Sequence, residues 1–233
     1  MELIEFWFIF HYFLDISFSY CYISTYENEQ TFIIHEIIMR KKDPEKEQAI
    51  LKAAIHAFAE QGFHATKMSM IADNAGVAAG SLYLYFKNKE SIVKQIIDAI
   101  WTEMYNKYLP VQQRPDLTAI EKLDSLIDLV FDIFSGSPEK AIIFVNEQHH
   151  LAQKGFQEFK LQEEKFINLC ESIIKEGAKE GFFNAHINIG ILKDFVFGGL
   201  RHLLDLWAHH PDNYALNQIR QEIKHIIKKG ILT

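Results

Sequence analysis

Cysteine is nearly missing from this sequence: Cys21 and Cys170 are the only two in 233 residues. They stand alone, with no CxxC pair and no metal-type spacing, which excludes a disulfide framework and fits a reducing cytoplasm. A P-loop, GxGxxG and any Ser-His-Asp pattern are absent as well, so the chain is expected to be no enzyme and to carry no cofactor. His149-His150 and the trio His202, Asp205 and His209, at i, i+3 and i+7, lack the acidic or sulfur partners of a metal centre; they are expected to be surface or interface residues, with no metal. No stretch alternates convincingly enough for a strand, and there is no internal repeat or low-complexity tract.

Basic residues are missing from 1–38, which hold six acidic side chains and an aromatic run about long enough to span a membrane. Glu5, His11 and Asp15 interrupt that run, and no Lys or Arg precedes it, as a signal peptide would need. The segment is therefore expected to be an extension outside the fold rather than an anchor, with Arg40, Lys41 and Lys42 as a basic arm able to touch DNA. The net charge of −7 is unevenly spread: residues 39–95 hold nine Lys/Arg against six Asp/Glu, and 96–233 hold fifteen against nineteen. Positive charge thus gathers in one short region, as attraction to phosphate requires.

That region contains TKMSMIADNAGVAAGSLYLYFKNKE, Thr66 to Glu90. Ser69 reads as the N-cap of a helix whose apolar positions are Ile71, Ala72 and Ala75. Gly76 supplies the left-handed turn residue, and a second helix starts near Ala79 with Leu82, Tyr85 and Phe86 inward. A small residue four before the turn glycine, then Val77 and Leu82 as inner contacts, is the pattern of a helix-turn-helix. Thr66, Ile71-Ala72, Ala75-Gly76-Val77, Gly80, Leu82-Tyr83-Leu84-Tyr85-Phe86 and Lys89-Glu90 together resemble the DNA-binding domain of TetR-family transcriptional regulators. The likeness covers about 47–97. It implies phosphate contacts from Thr66, Tyr83, Tyr85 and Lys89, with Lys67 and Ser69 beside them, and base contacts from Ala78, Ala79, Gly80, Ser81 and Leu84. Many relatives carry Lys at 79 and a basic or imidazole side chain at 84. Ala79 and Leu84 offer only apolar contact, as to a thymine methyl group, so specificity leans on Ser81, Lys67 and DNA shape.

The periodicity predicts an all-α chain of about nine helices: an extension over 1–38, a three-helix DNA-binding domain over 39–88, and a helical effector-binding and dimerisation domain over 89–233. Helix one ends at Gly62, helix four at Leu109-Pro110, and Asp116 caps helix five. Phenylalanines crowd the later helices, and Phe131, Phe144, Phe166 and Phe195, with Gln148, His149 and Asn168, are candidates for an apolar effector site. Gly198-Gly199 in mid-helix and the apolar seam of the last helix suit a homodimer packed through the last two helices. The resemblance implies a ligand-responsive repressor that leaves a palindromic double-stranded DNA operator when a small hydrophobic effector binds. A fatty acyl thioester is the effector that some Phe-rich relatives sense. The rival reading is a DNA-associated structural protein of the same fold that governs no promoter. Neither reading places the chain in a membrane.

Overall fold

Nine helices, and no strand beyond an isolated bridge between Phe183 and Leu232, make up the described residues. The structure is a computed structural model that describes residues 43–153 and 159–232, in backbone alone at 147–153 and 159–160. The expected extension of 1–38, the arm Arg40, Lys41 and Lys42, and the side chains of Gln148 and His149 lie outside the described residues. The helices are α1 (Pro44–Ala65), α2 (Met68–Ala75), α3 (Ala79–Tyr85), α4 (Lys89–Gln112), α5 (Ala119–Ser135), α6 (Pro138–Gln153), α7 (Phe159–Lys179), α8 (Ile189–His209) and α9 (Leu216–Ile231).

Asp43 caps α1, its carboxylate accepting from the Glu45 N–H at 3.0 Å, with Pro44 in the first turn where no amide donor is needed. The helical path breaks at Gly62, as expected, and Phe63 folds back to stack on Phe58 with centroids 5.5 Å apart. α2 ends in a left-handed Gly76 (φ 66°, ψ 29°). Gly76 N–H donates to the Asp73 carbonyl and Val77 N–H to that of Ala72, a Schellman closure that a Cβ would strain. Ser69 does not cap this helix. Lys67 occupies the cap position without a side-chain bond, and Ser69 sits exposed in the first turn. Ile50, Ala54 and Phe58 of α1, Ile71 and Ala72 of α2, and Leu82 and Phe86 around α3 close one small core.

α4 opens with a capping box. The Asn88 side chain accepts from the Ser91 N–H at 2.9 Å, and the Ser91 hydroxyl receives the Asn88 N–H in return. The helix continues past Pro110 to Gln112, because a proline in the last turn forfeits a single hydrogen bond at an exposed site. Thr118, not Asp116, caps α5, in a second box with Glu121; Asp116 instead pairs with Arg114. The Thr118 N–H holds the Glu121 carboxyl below its ordinary range. α1 packs on α6 while α4 runs against α5, α6 and α7, so residues 43–233 cluster as one unit. The buried Lys122 of α5 reaches Glu176 of α7 at 2.5 Å, and the buried Tyr108 hydroxyl of α4 donates to the Lys122 carbonyl at 2.7 Å. α9 lies antiparallel on α5 behind a ladder of charges: Arg220 to Asp132 and Asp128, Lys224 to Asp128, and Lys228 to Asp124.

After α7 the chain doubles back so that the buried Phe183 ring lies across Gly177. A Cβ at 177 would run into that ring. Gly177→Ala should therefore lower the unfolding free energy by about 1–3 kcal/mol, the usual range for overpacking, with unchanged helicity by circular dichroism.

Candidate nucleic-acid interface and apolar cavity

A seven-residue helix has too few internal hydrogen bonds to stand alone, so the side by which α3 is held decides what its other side presents. Leu82 is fully buried and Tyr85 half-buried. Ala79, Gly80, Tyr83 and Leu84 are exposed, Tyr83 by 57% and Leu84 by 70%. Ala78 and Lys67 are exposed beside it and Ser81 is half-exposed. Seven of the eleven expected DNA-facing residues are therefore wholly or partly accessible in the α2–α3 unit: Lys67, Ala78, Ala79, Gly80, Ser81, Tyr83 and Leu84. Ser69 is also exposed, in the first turn of α2.

Thr66, Tyr85 and Lys89 are otherwise employed. Thr66 is 1% exposed, and its hydroxyl lies 2.8 Å from the Gly62 carbonyl and 3.1 Å from that of Ala57, tying the end of α1 together. That burial rules out the expected phosphate contact by its side chain. The Tyr85 hydroxyl accepts from the Asp43 N–H at 3.1 Å, fastening the start of α1 to α3. The Lys89 ammonium donates to the Phe63 and His64 carbonyls at 2.6 and 3.1 Å and stands 4.7 Å from the Phe63 ring centroid. Three residues read as phosphate contacts thus carry internal hydrogen bonds of the reading head. Local pattern gives a hydroxyl or ammonium, but not whether a neighbouring carbonyl already uses it.

The larger half holds an apolar cavity, partly open to solvent. Leu123, Leu126, Ile127 and Val130 of α5 form one wall, Phe166, Cys170 and Ile174 of α7 another, and Ile189, Leu192, Val196, Phe197 and Leu200 the α8 side, with Ile227 of α9. Among the described residues, Glu171 and the half-exposed Lys193 are its only charged linings. Of the expected effector residues, Phe166 lines this space. Phe131 is buried outside the lining, beneath the Arg220 guanidinium. Phe144 packs between Trp101 and Phe134, also outside the lining. Asn168 is exposed, and Phe195 is 73% exposed, so neither reaches the cavity. Both occupy the solvent side of amphipathic helices whose aliphatic stripes face inward, and those stripes are the signal that attention to phenylalanine passed over. Phe166 also stacks on Trp101 of α4, centroids 5.7 Å apart, so a cavity wall touches the helix that begins at the reading head. Apolar surroundings push the Cys170 thiol up to about 12.

Among the described residues no group of three His, Cys, Asp or Glu is placed to hold a metal, and no helix is long and apolar enough to cross a membrane. His202 and His209 are exposed, and the His209 ring approaches the Asp205 carbonyl one turn back.

Comparison with known proteins agrees with this arrangement. The family described as bacterial regulatory proteins, tetR family, matches residues 50–96, and the YsiA-like protein, C-terminal region, matches 93–230. The chain is 28% identical over 199 residues to the fatty acid metabolism regulator protein of Bacillus subtilis, covering 83% of this chain and 98% of the other. It is 29% identical over 187 residues to the HTH-type transcriptional repressor KstR2 of Rhodococcus jostii, covering 78% and 89%. The crystal structure of FadR from Bacillus subtilis in complex with stearoyl-CoA superposes with a TM-score of 0.69 at 26% identity, over 79% of this chain and 98% of that one.

Two measurements check these placements. Thr66→Val should lower stability by about 1–2 kcal/mol in denaturant, since it removes the buried hydroxyl that bonds the Ala57 and Gly62 carbonyls, whereas Tyr83→Phe should leave stability unchanged. With Cys21 replaced by serine, Cys170 should react with iodoacetamide at pH 7.5 about a thousandfold more slowly than free cysteine. Its thiolate fraction is depressed by roughly that factor. For the same reason its stabilising contribution is complete below about pH 8.5 and declines as pH rises toward 12.

Proposed function

The chain belongs to the TetR family of bacterial transcriptional regulators, and we propose that it works as a homodimeric repressor that releases its operator when a long acyl chain enters the cavity. The observation that carries the reading is a pairing within one chain: a short helix presenting an unobstructed outward stripe, and an apolar cavity whose wall touches the helix joining the two. On this reading residues 43–88 grip DNA and 89–232 hold the effector and the partner subunit. It is a binding protein of the cytoplasm rather than a catalyst.

The effector class follows from the lining. Almost wholly apolar walls favour a hydrocarbon chain, and Lys193 at the rim suits an anionic head. The stearoyl-CoA held by the Bacillus subtilis relative has both parts, which supports a fatty acyl thioester here. For dimerisation, α8 leaves Ile191 69% exposed, Phe195 exposed and Gly198 and Gly199 bare, and α9 leaves Ile226 exposed. Among the described residues, nothing beyond the helix's own nearby backbone comes within 4 Å of a Cβ added at either glycine. Such an apolar strip is more than an isolated chain ordinarily leaves to water, and its glycines let a second α8 approach closely. Two α3 helices would then enter successive major grooves about 34–36 Å apart.

Release is linkage. An occupant pressing on Phe166 bears on Trp101, hence on α4, which Lys89 and a 2.8 Å Gln95–Glu47 hydrogen bond fasten to α1. Effector and operator weaken one another by the same factor.

Titrating a long-chain acyl thioester into the protein bound to a duplex recovered from its own genome should lower operator affinity at least tenfold, read by fluorescence anisotropy. A short-chain thioester should do little. Equal operator affinity at saturating long-chain ligand would sink the effector assignment, and a footprint scattered evenly over the genome would sink the promoter role.

A further inference from the structure

The outward face of α3 carries almost no hydrogen-bonding chemistry. The helix reads AGSLYLY, with no Arg, Lys, Asn, Gln, Asp or Glu. The pairs that distinguish guanine and adenine bidentately are thus unavailable to it. Ser81 is half-buried, and the Tyr85 hydroxyl is engaged by the Asp43 N–H. What remains outward is Ala79, Gly80, the Tyr83 ring and, most prominently, Leu84. Leu84 lies one residue from the end of the helix and exposes more of its surface than any other large apolar side chain in the reading head.

The major-groove edge of a base pair offers one apolar group, the 5-methyl of thymine. We propose that Leu84 is the specificity-determining residue of the operator contact and reads that methyl group, with the Tyr83 ring alongside it. Sequence preference here is a matter of burying a methyl group rather than of matching donors to acceptors. The inference rests on the reading of α3 as the DNA-facing helix, and the test separates the two.

Duplexes recovered from a random library by the full-length protein are resynthesised with deoxyuridine in place of each thymine in turn. The exchange removes one methyl group and keeps every hydrogen bond of the pair. Burying a single methyl group predicts one thymine per half-site whose exchange weakens binding about fourfold, and about fifteenfold when both half-sites are changed. Leu84→Ala, at a surface position that leaves the fold intact, should bind the thymine and deoxyuridine duplexes alike, and Leu84→Met should restore the discrimination. Tolerance of deoxyuridine at every position, or discrimination that survives in Leu84→Ala, would overturn the proposal. If the wild-type protein recovers no duplex at all, the operator reading itself falls and this inference with it.

Discussion

The burial of Leu82 and Phe86 is the constraint on which the reading head depends. A helix as short as α3 gains its stability from the side chains it buries, and each of these contributes about 1.5–3 kcal/mol. They seat against Ile71 and Ala72, which have no exposed surface, and the left-handed Gly76 turn sets the angle at which α3 leaves α2. Once Leu82 is inside, a helical repeat of 3.6 residues turns Gly80, Tyr83 and Leu84 away from the core, and Ala79 is exposed at the start of the helix. The presented face is a consequence of the buried one.

Polar groups then lock this small core. Thr66 closes the end of α1, Tyr85 holds its beginning, and Lys89 draws the start of α4 onto the carbonyls that follow Gly62. α4 continues from that point to Gln112, so one helix runs from the reading head into the larger half. Trp101, midway along it, lies between Phe144 and Phe166, and Phe166 is shared with the cavity. On the far side α5, a principal wall of the cavity, is tied to α9 by the Arg220, Lys224 and Lys228 ladder. Cavity, reading head and the exposed α8–α9 surface are thereby joined through packed helices.

The helix-turn-helix, the Gly62 break and the Asn88 cap were legible from residue order, and so were the later helices to within a few residues. Misplaced ends share one cause. Ser69 and Asp116 are good capping residues in general, but Lys67 and Thr118 stand where the packed helices begin. The candidate effector set was less legible. Phenylalanine is easy to notice, yet Phe195 points to solvent and Phe144 serves the α4–α6 contact, while the cavity is lined chiefly by Leu, Ile and Val.

Sequence alone determined the helices, the turn between α2 and α3, and the regulator family, because apolar spacing, turn glycines and caps act between residues a few positions apart. Tertiary structure decided which polar side chains are spent inside the reading head and which aliphatic residues meet to form the cavity. Those outcomes depend on the convergence of α5, α7, α8 and α9, and on carbonyls many residues away, which no local pattern records.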